Sequence, residues 1–463
     1  MRQGARRAAV AITSITAVAA LTLAGCTADP GTSSTNGANP DSTGGASGQI
    51  TDAEREAALN TPTDLTFWTW VPDIQEQVDL FEKEYPNIHV KVENVGQGLD
   101  HYSKVRTASK AGTGGPDVIQ LEYQFISSFA QTGDLLDLTP YGAADIAGDY
   151  VPWVWKQVLS NDQILAIPQD SGPMGNLYRE DIMTAAGVTE PPATWDDYKV
   201  AAEKVRANTD SYISNMAPGQ GAGWLGLLWA AGVKPFGYDG DKTVTININS
   251  PEAKKVMAYW QDMIQNDLVS VDPDFNDEWY AGLNSGHYAG WLTAAWAPVF
   301  LSGAAADTSG KWRAAPLPQW DASKPASGNQ GGSADAVLKT TKNPIAAYEL
   351  AKWINNAQAP ALLFSTKQNF FPTANSVLAD PAFVDQKPEF YGGQQVNKLF
   401  AEISTTVDTD WQWLPFMEFA YSSGNDTFGA AVAAKGDLAA GLDDWQAALV
   451  DYAKQQGFTV NAG

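Results

Sequence analysis

Three stretches of this sequence imitate reactive motifs, and each fails on its own chemistry. Gly221-Ala222-Gly223-Trp224-Leu225-Gly226 matches the dinucleotide pattern G-x-G-x-x-G, with Asp241 twenty residues beyond the first glycine. That pattern cradles a pyrophosphate only when a strand feeds straight into it. Here Pro218-Gly219-Gln220 comes first, so the stretch reads as a tight loop or a helix start. Asp272-Pro273-Asp274-Phe275-Asn276 copies the opening of a calcium loop, but Asp277 stands where the loop needs glycine and Leu283 where it needs glutamate. Gly331-Gly332-Ser333-Ala334-Asp335 is one residue short of a nucleophile elbow, and no histidine follows His287 to complete a hydrolase triad in that chain order.

What remains is aromatic. The chain has 17 tryptophans, with Trp-x-Trp pairs at Trp68/Trp70, Trp153/Trp155 and Trp411/Trp413. On a strand, a spacing of two puts both rings on one face. Sugars present flat C–H faces ringed by hydroxyls, so their sites need aromatic platforms with carboxylate or carboxamide partners beside them. A single tryptophan is ordinarily a core residue. Trp224, Trp296 and Trp411 differ in lying beside Gly, Pro and carboxamides at expected loop mouths, whereas Trp260 and Trp353 fall inside helical patterns and read as core. Small neighbours in Ala294-Ala295-Trp296-Ala297-Pro298 leave the ring room to face a cavity, and Pro298 predicts a loop there.

The elements that position these groups follow from periodicity. Leu65–Trp70, Ile88–Val92 and Asp117–Leu121 read as strands, with helical patterns between them at Ile74, Val78 and Phe81 and through 102–111. Strands alternating with helices predict an α/β body with a mostly parallel sheet, which binds ligands beyond its carboxyl ends. Thr194 with Asp197 predicts a capping box, and Ser250-Pro251 and Asn343-Pro344 predict helix starts. A body of about 400 residues exceeds one core, which favours two lobes.

Composition narrows the function. Against 29 basic side chains stand 53 acidic ones, a net charge of -24 in 463 residues, which opposes binding to nucleic acid or to anionic membrane surfaces. The three histidines are scattered and the single cysteine forms no disulfide framework, so neither a His-rich zinc site nor any cofactor is called for. Arg2, Arg6 and Arg7 precede an apolar run from Ala8 to Leu23, a secretory signal over residues 1–25. Its end, Leu23-Ala24-Gly25-Cys26, resembles the lipobox of bacterial lipoproteins, which implies lipidation at Cys26 and a protein held on the outer face of the cell membrane through that anchor alone. Residues 26–61, rich in Gly, Ser, Thr, Asn and Pro, read as a disordered tether.

Several stretches taken in order resemble the extracellular solute-binding proteins of sugar-importing ABC transporters, the maltose-binding-protein family, and within it the actinobacterial oligosaccharide-binding branch. They are Leu65–Trp70, Gly114–Gln124, Ala166–Met174, Asp277–Gly282, Trp291–Pro298 and Gly331–Ser333. The resemblance implies a two-lobed periplasmic-binding-protein-like fold crossed three times by the chain, with a ligand cleft between the lobes. Lobe 1 would hold residues 62–170 plus 334–372, and lobe 2 residues 173–331 plus 375–463. It implies a monomer that passes an oligosaccharide to a pair of permease subunits driven by an ATPase. The implied ligand-binding residues are Trp70, Glu122, Gln124, Asp170, Trp224, Trp296, the backbone of Gly332, and either Trp411 or Trp413. Gln330 and Asp335 depart from the family pattern and leave the sugar's identity open. The alternative is a secreted glycoside hydrolase, for which Glu122 and Asp170 would be the carboxylate pair.

Overall fold

The computed structural model describes residues 48–462. The signal sequence, Cys26 and the tether as far as residue 47 lie outside the described residues.

The first lobe is built on a five-stranded sheet in the order Ile88–Glu93, Thr63–Trp68, Val118–Glu122, Ser333–Val337 and Ile167–Pro168. Ile88 and Val90 alternate with exposed neighbours on the outer strand, while Val118–Leu121, at the centre, is buried on both faces. The first three strands pair in parallel, as predicted, but Ser333–Val337 runs antiparallel to both its neighbours. The second lobe departs further from the expected parallel pattern. One of its sheets is Met174–Arg179 flanked by Gly290–Ala294 and Trp312–Pro316, both antiparallel, and a second sets Thr243–Ile246 between Phe236–Tyr238, antiparallel, and Thr459–Ala462, parallel. Strand–helix alternation fixes pairing direction only when successive strands are neighbours in one sheet; Ser333–Val337 joins its sheet after the chain has run through the other lobe, and long stretches of chain separate Met174–Arg179 from Gly290–Ala294.

Of the local signals, Thr194 and Asp197 form the predicted capping box, and Ser250 caps the helix Pro251–Gln265. The helix Pro344–Asn356 starts as expected, although Asn343 makes no side-chain cap. Gly221–Ala230 is a helix, in line with the loop-or-helix-start reading. Pro298 begins the helix Ala297–Ala304 rather than a loop, because proline fits the first turn, where no N–H is needed.

Part of the expected tether is structure. Thr51 and Glu54 form a capping box that opens the helix Asp52–Leu59. Arg55 donates to the Tyr141 carbonyl at 2.8 Å and pairs with Glu349, whose side chain is 2% exposed. Lys352 holds the same carboxylate at 2.7 Å. The composition of 27–60 as a whole hides Asp52–Ala58, a short run of good helix formers with one well-placed cation.

Three segments of chain connect the lobes and lie side by side. The Gln330 N–H donates to the Gly172 carbonyl at 2.9 Å, and the Ser171 N–H to the Phe371 carbonyl at 3.0 Å. Gly172 also donates to Asn329 Oδ1 at 2.9 Å. A Cβ on Gly172 would lie 2.1 Å from the Gln330 carbonyl oxygen, so only glycine allows these backbones to meet. Gly172→Ala should therefore lower the unfolding free energy by about 1–3 kcal/mol in urea titration. Gly303→Ala, in a helix where the new methyl meets nothing within 4 Å, should leave it unchanged or raise it by up to about 1 kcal/mol.

Candidate functional site

One wall belongs to the first lobe. The strand Val118–Glu122 ends where the helix Tyr123–Thr132 begins, which sets Glu122 at the sheet's carboxyl edge. Tyr102 Oη donates to Glu122 Oε2 at 2.7 Å and Gln124 Nε2 to Glu122 Oε1 at 3.1 Å. Burial pushes the Glu122 carboxyl up, and these two donors oppose the shift. Past the first strand the chain is pinned by Gln120, whose Oε1 accepts from Thr69 Oγ1 at 2.7 Å and from the Trp70 N–H at 3.1 Å. That leaves Trp70 half-buried, edge-on to His101 at 5.0 Å and to Tyr102 at 6.3 Å. Phe125 continues the aromatic line, 4.7 Å from Tyr102.

The facing wall belongs to the second lobe. Trp296 is half-buried, its indole N–H donating to the Gln330 carbonyl at 2.8 Å, so the connecting segment holds the ring in place. Phe275, Trp291 and Phe300 surround it at 6.4, 5.9 and 5.8 Å. Phe275 and Phe300 are 43% and 51% exposed, unusually open for phenylalanines. The tyrosine Tyr421 adds an aromatic that sequence reasoning missed. It packs under Gly221, 6.4 Å from Phe125, and its hydroxyl is pushed up by burial and by the charge of Glu122. Nothing in the local pattern of the helix Met417–Gly424 distinguishes it from an ordinary helical tyrosine.

Between the walls lies the hinge. Asp170 is buried, and its Oδ1 accepts the Ser333 N–H at 2.8 Å, while its carbonyl accepts from Tyr123 Oη at 2.9 Å. Gly332, at φ +96°, brings the backbone against Asp170 and Tyr123 where a side chain would collide. Burial raises Asp170 to about 7, and Glu122 adds to the rise. Asp335, also raised to about 7 by burial, is fully enclosed; its Oδ2 accepts from Asn355 at 2.7 Å and Gln169 at 3.1 Å, and its Oδ1 has no partner. Both environments favour the neutral acid.

Three predicted tryptophans lie apart from the Trp296 ring, although Trp224 lines a small hollow with Phe275 and Gln330. Trp224 is inside the second lobe, 2% exposed, with its N–H given to the Ala217 carbonyl at 3.1 Å and its ring edge-on to Trp260 and Phe428. Trp411 is stacked flat on Trp229, with 4.6 Å between ring centres. Trp413 donates to Gln157 Oε1 at 2.6 Å. Trp411 and Trp413 line a separate hollow of about 610 Å³ with Ser127, Lys156 and Asp410, and touch none of the aromatics around Trp296 or Glu122.

The two walls are tied by an ion pair. Arg106, lying over Phe129 and bonded to Ser128 Oγ at 2.7 Å, reaches Glu418 Oε1 at 3.1 Å on the helix Met417–Gly424.

Residues 68–359 match the profile of the bacterial extracellular solute-binding proteins. A solved ABC-transporter-associated binding protein from Bifidobacterium animalis subsp. lactis, in complex with β-1,6-galactobiose, is 32% identical, covers 87% of this chain and 100% of its own, and superposes with a TM-score of 0.74. The galacto-N-biose/lacto-N-biose I-binding protein of Bifidobacterium longum, in complex with lacto-N-biose, is 26% identical over 86% of this chain and 98% of its own, with a TM-score of 0.77. The arabinooligosaccharide-binding protein of Bacillus subtilis is 29% identical over 65% of this chain and 70% of its own.

The buried acids have a consequence for stability. An unfolded aspartate releases its proton near 4, whereas Asp335 holds its proton to about 7, so its contribution to stability falls as pH rises through that interval. Wild type should lose stability relative to Asp335→Asn between pH 5 and 7.5, by on the order of 1 kcal/mol or more in denaturant titrations. His101, kept neutral down to about 4 by burial, pulls the other way in both proteins and cancels in the comparison.

Proposed function

The chain belongs to the family of bacterial extracellular solute-binding proteins, and from that premise we propose that it captures a short, neutral oligosaccharide in the cleft between its lobes and hands it to an ABC importer. The observation that carries the proposal is the pairing of two complementary walls. Trp70, Tyr102, Glu122 and Gln124 offer aromatic edges and oriented oxygens, and the half-open Trp296, Phe275 and Phe300 offer flat faces across the hinge. Carboxylate and carboxamide groups beside aromatic faces are what a hydroxylated, C–H-faced ligand requires. Relatives solved with β-1,6-galactobiose and lacto-N-biose support a disaccharide or trisaccharide rather than a long polymer.

In this reading Trp296 stacks on the sugar, and Glu122 and Gln124 accept from or donate to its hydroxyls. Trp70 lines the other wall, and Gly332 and Asp170 set the hinge. Closure brings residues 62–170 and 334–372 against 173–331 and 375–463, and the Arg106–Glu418 pair is completed when the lobes meet. A ligand that contacts both walls then favours the closed state by its differential affinity. The protein works as a monomer, joined to the membrane through Cys26 and residues 26–49, and delivers its sugar to a permease pair. Among the described residues no helix is long and apolar enough to cross a membrane.

A hydrolase is the weaker reading. Asp170, one of its two nominal carboxyls, spends Oδ1 on the Ser333 backbone at the hinge, and the family consists of binding proteins.

Calorimetry against β-1,6-galactobiose, lacto-N-biose, lactose and arabino-oligosaccharides should give binding to at least one sugar without release of new reducing ends. Trp296→Ala should weaken that binding by about 2 kcal/mol or more while lowering stability much less, since the ring is half-open without ligand. A loss of about 3–5 kcal/mol of stability with affinity intact would make Trp296 a core residue instead. Turnover abolished in Glu122→Gln would establish the hydrolase.

A further inference from the structure

Beside Trp296 the second lobe contains a small hollow that neither the family profile nor the stacking surface explains. Met174, Met216, Gln220, Trp224, Asp274, Phe275 and Gln330 line it, with about 30 Å³ of room for water-sized groups. That is space for two heavy atoms, since one water-sized sphere needs about 10–15 Å³. Its lining mixes two methionine thioethers with one carboxylate, Asp274, whose Oδ1 accepts from Gln220 Nε2 at 3.1 Å. Among the described residues no other side chain donates to Asp274, although burial pushes its carboxyl up to about 6. A partly buried carboxylate with one donor has acceptor capacity left over.

The backbone next to it is strained in a way that presents the site. Phe275 sits at φ +53°, a left-handed conformation that bulky residues rarely adopt, and its ring is 43% exposed at the mouth of the hollow. Asn276 caps the next helix by accepting from the Trp279 N–H at 2.8 Å, which holds the turn in place. Strain of this kind collects at ligand clamps. The sequence pattern that fails as a calcium loop therefore still does something: it turns Asp274 inward and Phe275 outward in two consecutive residues.

We infer that this hollow receives the free hydroxymethyl arm of a hexose, with its carbon against the methionines, its hydroxyl donating to Asp274, and the sugar ring beside Phe275. The site would thereby select hexose-terminated ligands over pentose-terminated or 6-deoxy ones. This rests on the oligosaccharide-binding reading above.

The test compares β-1,6-galactobiose with its analogue lacking the 6-hydroxyl of the non-reducing galactose, on wild type, Asp274→Asn and Phe275→Gly. Glycine accepts the left-handed turn, so Phe275→Gly removes the ring without straining the backbone, and a cooperative melting transition checks that the variant remains folded after losing the ring's contacts with Trp279 and Trp291. Wild type should bind the parent sugar at least tenfold more tightly than the deoxy analogue. Asp274→Asn should lose most of that preference, chiefly by weakening the parent sugar, and Phe275→Gly should weaken both sugars. Lactose and lacto-N-biose, each with a free hydroxymethyl on a terminal galactose, serve as parent sugars if galactobiose does not bind. Equal affinity of wild type for parent and deoxy sugars, or a preference that survives in Asp274→Asn, would overturn the inference and leave sugar binding intact. Binding of pentose oligomers alone would overturn it too, and binding of no sugar would overturn both readings.

Discussion

The architecture depends on a backbone contact too close for a side chain. At Gly172 the chain passes from the first lobe to the second within touching distance of the segment that returns at Gln330. Around this contact the protein gathers its buried acids: Asp170 takes the Ser333 N–H, and Asp335, two residues on, is enclosed by Gln169 and Asn355. The connecting segments are hydrogen-bonded to one another where they meet. The same segment carries the Gln330 carbonyl that holds Trp296. The connection between the lobes and the placement of the aromatic wall therefore share one stretch of backbone.

The tryptophans show how one residue type is divided between stability and recognition. Trp260, Trp279, Trp312 and Trp445 are fully buried, and Trp224 joins them with its N–H satisfied by a carbonyl. Trp153 and Trp155, read as a possible same-face pair, lie on the helix Pro152–Gln157, where a spacing of two separates the rings. One meets Trp229 and the other stacks on Tyr150. Only Trp70 and Trp296, together with the phenylalanines around the latter, keep part of their faces open along the cleft. Each of these two is fixed by a polar contact with a buried neighbour: Gln120 for the backbone of Trp70, the Gln330 carbonyl for the ring of Trp296. Position, rather than residue type, makes the platform.

Charge follows a similar division. Glu122 stays within reach of the cleft with two side-chain donors, which leaves it an oriented acceptor. Asp170 and Asp335 are deeper, and burial favours their neutral form. Arg106 is held on its own lobe by Ser128 and Phe129 before it reaches Glu418, so little side-chain freedom is lost when the two meet.

The sequence by itself determined what is local. The parallel opening strands, the capping box at Thr194, the helix start at Pro251 and the likeness of 65–70, 114–124 and 291–298 to a sugar-binding family all rest on periodicity, turn chemistry or residue order. The same family likeness nominated Glu122, Gln124, Trp70 and Trp296, each beside a strand end or a turn. Tertiary structure alone decided the antiparallel strands about Met174–Arg179, the docking of Asp52–Leu59, and the packing of Trp411 on Trp229 and of Tyr421 against Phe125. The physical reason is common to all three. Whether a face is covered or open depends on groups far away in the chain, Glu349 for Arg55, Trp229 for Trp411, Phe125 for Tyr421, and no window along the sequence contains both partners.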